Sequence, residues 1–203
     1  MRPVRLESTP MSDGVQFIVD EAASRQEATR RASAIRERLV REGIVEPAAN
    51  GDCVLAGEGH PPGRRAASLY QATAASNVDF TSLVTNGVTI ECERFANLTY
   101  PYPVDTVVCP RCEASVDREL LFAAVNTWLD GDDAATVSCE CGQPRHLREW
   151  RSRDPRESPI VCGNLVVTFY NWPRLDSKAW QMDIIALIGE ALAARPSVAW
   201  THL

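Results

Sequence analysis

The chain has 203 residues, a hydrophobic share of 45% and a charged share of 24%; this fits one large or two small globular units that bury a core without disulfides. A net charge of -6 and a pI of about 5.2 argue against a protein that binds mainly by neutralising phosphates. No run approaches the roughly 18 apolar residues of a membrane-spanning helix, and Met1-Arg2-Pro3-Val4-Arg5-Leu6-Glu7 lacks the apolar core and cleavage site of a secretory signal, so a cytoplasmic protein is expected.

After a polar leader over 1–13, alternation at Val15, Phe17 and Val19 predicts a short strand. Ser24 and Glu27 then form a capping-box pair. Ala28, Ala32, Ile35 and Leu39 follow at helical spacing, Glu27–Arg31 and Glu37–Arg41 are favourable i,i+4 pairs, and Gly43 is placed to end the helix. The arginines of this helix alternate with glutamates, the pattern of a solvated face. Cys53-Val54-Leu55-Ala56 predicts a second strand. The glycine-rich loop Gly57-Glu58-Gly59-His60-Pro61-Pro62-Gly63-Arg64-Arg65 does not make a phosphate cradle, because Pro61 and Pro62 lack the backbone donors such a cradle needs.

Asn86-Gly87 signals a hairpin with arms Leu83-Val84-Thr85 and Val88-Thr89-Ile90, the first arm alternatively a short helix closed by Asn86. On the second arm Cys92 shares a face with Val88 and Ile90, which predicts a buried cysteine. Tyr100-Pro101-Tyr102-Pro103 reads as a rigid linker. Glu119 to Leu129 predicts a helix or two short strands. Asp130-Gly131-Asp132-Asp133 is a turn that lacks the ligand spacing of a calcium loop. Five arginines, Arg145, Arg148, Arg151, Arg153 and Arg156, lie with His146 and Trp150 in a pattern that suits weak nucleic-acid contact. Asn164 to Tyr170 is a near-continuous apolar run suited to a central strand covered on both faces. Ser177 is placed to cap a helix bearing Trp180, Ile184, Leu187, Ile188, Ala191 and Leu192, stopped by Arg195-Pro196. Val198-Ala199-Trp200 closes the chain with a strand.

The chemistry concentrates in four of the seven cysteines, Cys109-Pro110-Arg111-Cys112 and Cys139-Glu140-Cys141-Gly142. Two close pairs across a long loop are the pattern of a single metal site, and four thiolates prefer tetrahedral zinc. His146 is the alternative ligand to Cys139, because the second pair lacks one spacer residue. A closed four-sulfur shell leaves no open position for substrate, so the zinc is expected to be structural. Neither HExxH nor GxSxG occurs. Cys53 and Cys162 sit in apolar contexts and are expected in the core.

The cysteine pairs resemble those of zinc ribbons, which commonly read Cys-Pro-x-Cys-Gly; Glu113 stands here where the first Gly is expected. The wider pattern, Trp128-Leu129-x-Gly131, Trp150, Gly163-Asn164-Leu165 and Phe169-x-Asn171-Trp172-Pro173, is similar to a set of bacterial proteins of unknown function, and carries no mechanism over. The resemblance implies a zinc-ribbon-like module of about 40 residues.

Strand, helix and strand recur near each end of the chain. The expected fold is therefore α+β: a mixed sheet with helices on one face, built from two βα halves, ferredoxin-like in outline, around an inserted metal module. The expected division is 1–103, 104–150 and 151–203. The expected role is that of a zinc-binding protein that works by binding another protein, not an enzyme. An enzyme with a site at the His60 loop, and a nucleic-acid binder through Arg145 to Arg156, are the alternatives.

Overall fold

The computed structural model describes residues 14–71, 79–98, 107–153, 160–193 and 196–202; the predicted leader, the Tyr100–Pro103 linker and Arg156 lie outside them. In chain order the elements are β1 (Gly14–Asp20), α1 (Arg25–Arg41), the single turn α2 (Ala66–Leu69), β2 (Val88–Glu91), β3 (Phe95–Leu98), β4 (Val107–Val108), α3 (Arg118–Leu129), β5 (Thr136–Ser138), β6 (Pro144–His146), β7 (Arg151–Ser152), β8 (Ile160–Gly163), β9 (Leu165–Tyr170), α4 (Ile184–Leu192) and β10 (Ser197–His202).

The fold is α+β. Its main sheet has the order β10-β1-β9-β2. Counting only these strands, the chain runs β-α-β-β-α-β with spatial order 4-1-3-2, the split topology of ferredoxin-like folds. Every pairing in the sheet is antiparallel, where the sequence predicts a mixed sheet. The reason is the split: β1 and β2 run the same way, but β9 is wedged between them, so no parallel neighbours remain.

Why these residues make these elements is local in the first half. Ser24 accepts a hydrogen bond from the Glu27 N–H and the Glu27 carboxylate accepts one from the Ser24 N–H, closing the predicted capping box. Ala28, Ile35 and Leu39 form the buried stripe of α1. They meet Ile184, Ile188 and Leu192 of α4 over the helix-facing side of the sheet, where Ile18, Val88, Val167 and Phe169 complete the core. Phe80, Trp172 and Trp180 extend it, with Phe80–Trp172 centroids 4.9 Å apart and the two indoles stacked at 5.9 Å. The ends of β1 and α1 are tied by a buried ion pair. Asp20 accepts from the N–H groups of Ala22 and Ala23 at 3.0 and 3.2 Å, and its other oxygen meets Arg31.

Residues 92–164 lie between the neighbouring strands β2 and β9, and most of a second core is built from them. The β3–β8, β4–β7 and β5–β6 ladders and α3 enclose Leu121, Trp128, Val137, Leu147 and Trp150 together with Cys109 and Cys139. This segment packs on the sheet face opposite the helices, where Val161 meets Val19, Val166 and Ala199, and Phe95 meets Phe17 at 4.8 Å. Gly163 sits at that crossing, and a Cβ there would collide with the Asp20 carbonyl.

Four local expectations fail, each for a competing interaction. Cys53 to Ala56 is a tight loop rather than a strand, because the Asn50 side chain accepts from the N–H groups of Asp52 and Cys53 and winds the backbone. Asn86-Gly87 does not turn a hairpin. The Asn86 amide instead donates to the carbonyls of Phe80 and Thr81, and the Gly87 N–H donates to Cys53, so β2 pairs with β9 on one side and bridges His60 on the other. Helix α4 begins at Ile184, capped by Asp183 and not by Ser177, because Trp180 is held outside it by a bridge to Tyr70. Cys92 is exposed, since β2 ends at Glu91 and the alternation ends with it.

Candidate metal centre

Two short loops carry the four cysteines. In the first, β4 delivers Cys109, whose N–H donates to the Ala114 carbonyl, while the Glu113 N–H donates back to Cys109. The turn aims the Arg111 N–H at the Cys109 sulfur, 3.5 Å away. In the second, β5 and β6 form a hairpin closed by the Gly142 N–H to Cys139 carbonyl bond of 2.8 Å. Both loops need one residue of left-handed backbone. Gly142 supplies it at φ +75°, and Glu113 adopts it at φ +59°, the position where the zinc-ribbon pattern has glycine. Left-handed backbone is strained for a residue with a Cβ. Glu113→Gly is accordingly expected to stabilise the protein by about 1 kcal/mol, seen as a higher midpoint in urea unfolding.

The loops bring the sulfurs of Cys109, Cys112, Cys139 and Cys141 within 4.8 Å of one another, and Cys112 and Cys139 Sγ are 3.2 Å apart. A tetrahedral ion with metal–sulfur bonds near 2.3 Å needs sulfurs about 3.8 Å apart, so small side-chain adjustments suffice. Cys109 and Cys139 are buried, Cys141 is half-buried and Cys112 is exposed. The cluster thus rims the second core, with one corner open to water. The donor set suits a soft divalent ion.

The electrostatics are uneven. N–H donation from Arg111 and Cys112 holds the Cys109 thiol down at about 6. The Cys141 N–H pulls the Cys139 thiol the same way, but burial and the hydrogen bonds of three neighbouring thiols outweigh it and push Cys139 up to about 12. The thiols therefore share protons, and an ion that binds all four must displace the protons that remain.

His146, the alternative ligand, is not in the cluster. Its Nδ1 accepts from the Arg148 N–H at 3.2 Å, which makes Nε2 the protonated nitrogen, 3.1 Å from the Asp133 carbonyl that accepts from it. Its ring meets Trp128 edge-on at 6.0 Å. His60 also lies elsewhere, its Nδ1 3.0 Å from the Glu46 carbonyl, in a groove of about 280 Å³ that also contains Glu58 and Cys92. Cys53 and Cys162 are buried, as expected.

Most of the predicted arginine cluster is engaged within the protein. Arg145 pairs with Glu149 at 3.0 Å. Arg148 lies over the Trp128 ring at 5.0 Å and donates to the Cys162 carbonyl. Arg153 donates to Ser115 at 3.2 Å. The sequence gives no sign of Arg94, whose guanidinium lies over the Trp128 ring at 4.4 Å and donates to the carbonyls of Trp128 and Gly131. Its partners are more than 30 residues away along the chain, beyond what a local pattern encodes.

A cleft of about 450 Å³ lies where the first cysteine loop adjoins β7, lined by Cys109, Pro110, Glu113, Arg151 and Arg153. None of the described helices is long and apolar enough to cross a membrane. Comparison with protein families, curated proteins and solved structures finds no match to this chain.

Proposed function

We propose that the chain is a cytoplasmic, zinc-organised protein that works by binding another protein, the zinc being structural. The observation that carries this reading is the convergence of four sulfurs from two separate loops at the rim of a distinct core. Zinc is the ion because four thiolates are soft and tetrahedral zinc has no competing geometric demand. Four sulfur ligands close the shell, so the ion braces the two loops and offers no position for a substrate. The partner surface is the cleft between the first cysteine loop and β7. Part of its lining comes from the metal loop itself, which makes binding depend on the metal. Its lining carries charges of both signs, Glu113 with Arg151 and Arg153, a pattern that suits a polypeptide better than a polyphosphate. Leu120, Phe122 and Leu129 of α3 are also exposed, on the two edges of its buried stripe.

Elemental analysis of purified protein is the test. About one zinc per chain is expected, lost in Cys112→Ser. Protein purified under reducing conditions that holds no metal, with four titratable thiols and an intact second core, sinks the proposal.

A further inference from the structure

The buried sulfur of the cluster has an unusual neighbour. Cys109 is fully buried, so water cannot solvate charge on it, whereas the exposed Cys112 keeps that option. Whatever negative charge Cys109 carries must be met by protein groups. The Arg111 N–H is one of them. A second comes from β6, where Arg145 lies opposite Val137 in the β5–β6 ladder. Cross-strand partners share a face of the hairpin. Val137 belongs to the second core together with Cys109 and Cys139, so Arg145 leaves the hairpin on the side where the sulfurs gather.

The guanidinium is aimed and not free. Glu149 accepts from Nη1 at 3.0 Å, and the same carboxylate is fixed by the His146 N–H, also at 3.0 Å. The Nε of Arg145 is buried and has no hydrogen-bond partner among the described residues. The groups that act on the guanidinium are Glu149 first and then the Cys109 sulfur. Burying a donor without an acceptor is costly, and the arrangement is explained if the acceptor is a sulfur that becomes fully anionic when an ion binds. Four thiolates around a divalent ion leave net negative charge on the cluster, and Cys109 is the corner where water cannot offset it.

We infer that Arg145 is the outer-sphere partner of the metal–thiolate cluster: it neutralises and orients Cys109, with Glu149 as its clamp. The inference rests on the metal reading above, and it moves Arg145 from the nucleic-acid face suggested by the sequence to the support of the metal. Arg145 is a positioning residue and touches no substrate. Outer-sphere partners of metal ligands typically change affinity by about 10- to 100-fold, and a charged donor to a buried thiolate belongs in that range.

Zinc competition against a chromophoric chelator, together with the absorption spectrum of the cobalt-substituted protein, tests it on the full chain. Arg145→Met is expected to weaken zinc binding by about 10- to 100-fold and to shift the sulfur-to-cobalt charge-transfer band. Arg145→Lys should recover most of both. Arg111→Met should match the wild type, because the Arg111 contribution is its backbone N–H. Glu149→Gln, which keeps the guanidinium but loosens its clamp, should fall between wild type and Arg145→Met, and serves if that variant does not fold. Wild-type affinity and spectrum in Arg145→Met would overturn the inference and leave the metal reading standing. Equal losses in the Met and Lys variants with an unshifted cobalt band would overturn it too, by showing a scaffold role only. Wild-type protein that takes up neither ion overturns the metal reading and this inference with it.

Discussion

Stripping the metal with a chelator under reducing conditions is expected to unfold the second core and leave the main sheet and its helices folded. The two cores are built from different residues. Ile35, Leu39, Val167, Phe169 and Ile188 pack between the sheet and α1/α4, and none of them belongs to the core around the cysteine loops. Leu121, Val125, Trp128 and Val137 pack around Cys109 and Cys139, in a segment whose ladders are only two to four residues long. So small a core does not hold such loops together by burial alone. Structural zinc contributes about 10 to 16 kcal/mol of apparent binding energy in comparable small modules, more than the net stability of a typical domain. Hydrogen exchange should show protection lost at Leu121, Val125 and Trp128 and retained at Ile35, Leu39 and Val167. A single unfolding transition, unchanged by the chelator, counts against the expectation.

Arg31→Ala should cost about 3 to 5 kcal/mol, the usual penalty for removing one partner of a buried ion pair. Asp20 is only 2% exposed and Arg31 15%, so the carboxylate left behind has neither its cation nor water. The two N–H bonds from Ala22 and Ala23 remain, and they hold the charge in place instead of letting it turn outward. Urea unfolding followed by the tryptophan signal of the main core measures the loss. Asp20→Asn in the Arg31→Ala background should restore part of it, because the uncompensated charge is then gone; an additive double variant would show that the pair is not the cause.

Some of this protein could be read from its sequence and some could not, and range along the chain largely divides the two. The α1 cap rests on Ser24 and Glu27, three residues apart, and it is present in the structure. The β9 run announces its burial by composition and is buried along almost its full length. Spacing within each cysteine pair made the convergence of the four cysteines readable, because two nearby sulfurs need only a turn to converge. The failures at Cys53, Asn86 and Ser177 share a cause: a side chain or backbone group took a partner that periodicity does not weigh. Asn86 is the clearest case. Its turn-forming chemistry is real, but it is used to hold the Phe80–Ser82 turn, while the Asn86 carbonyl accepts from the Trp172 indole at 2.6 Å. The same reason hides Arg145 and Arg94, whose partners are set by how separate loops dock.

The placement of 92–164 between two adjacent strands has an architectural meaning. Glu91 and Val166 face each other in the β2–β9 ladder, so the chain departs and returns at neighbouring positions, as it would around an ordinary hairpin turn. The main sheet therefore sees the whole cysteine-bearing segment as one enlarged turn. The register of β2 against β9 is set at that pair and not by the length of the segment between them. Among the described residues, guest and host are tied by the small apolar seam of Phe17, Phe95, Val19 and Val161 and by the Asn164 amide donating to the Ala23 carbonyl, and a host carrying a short turn instead would need polar residues at the seam. The chain is in this sense a platform that carries a cassette on one of its turns.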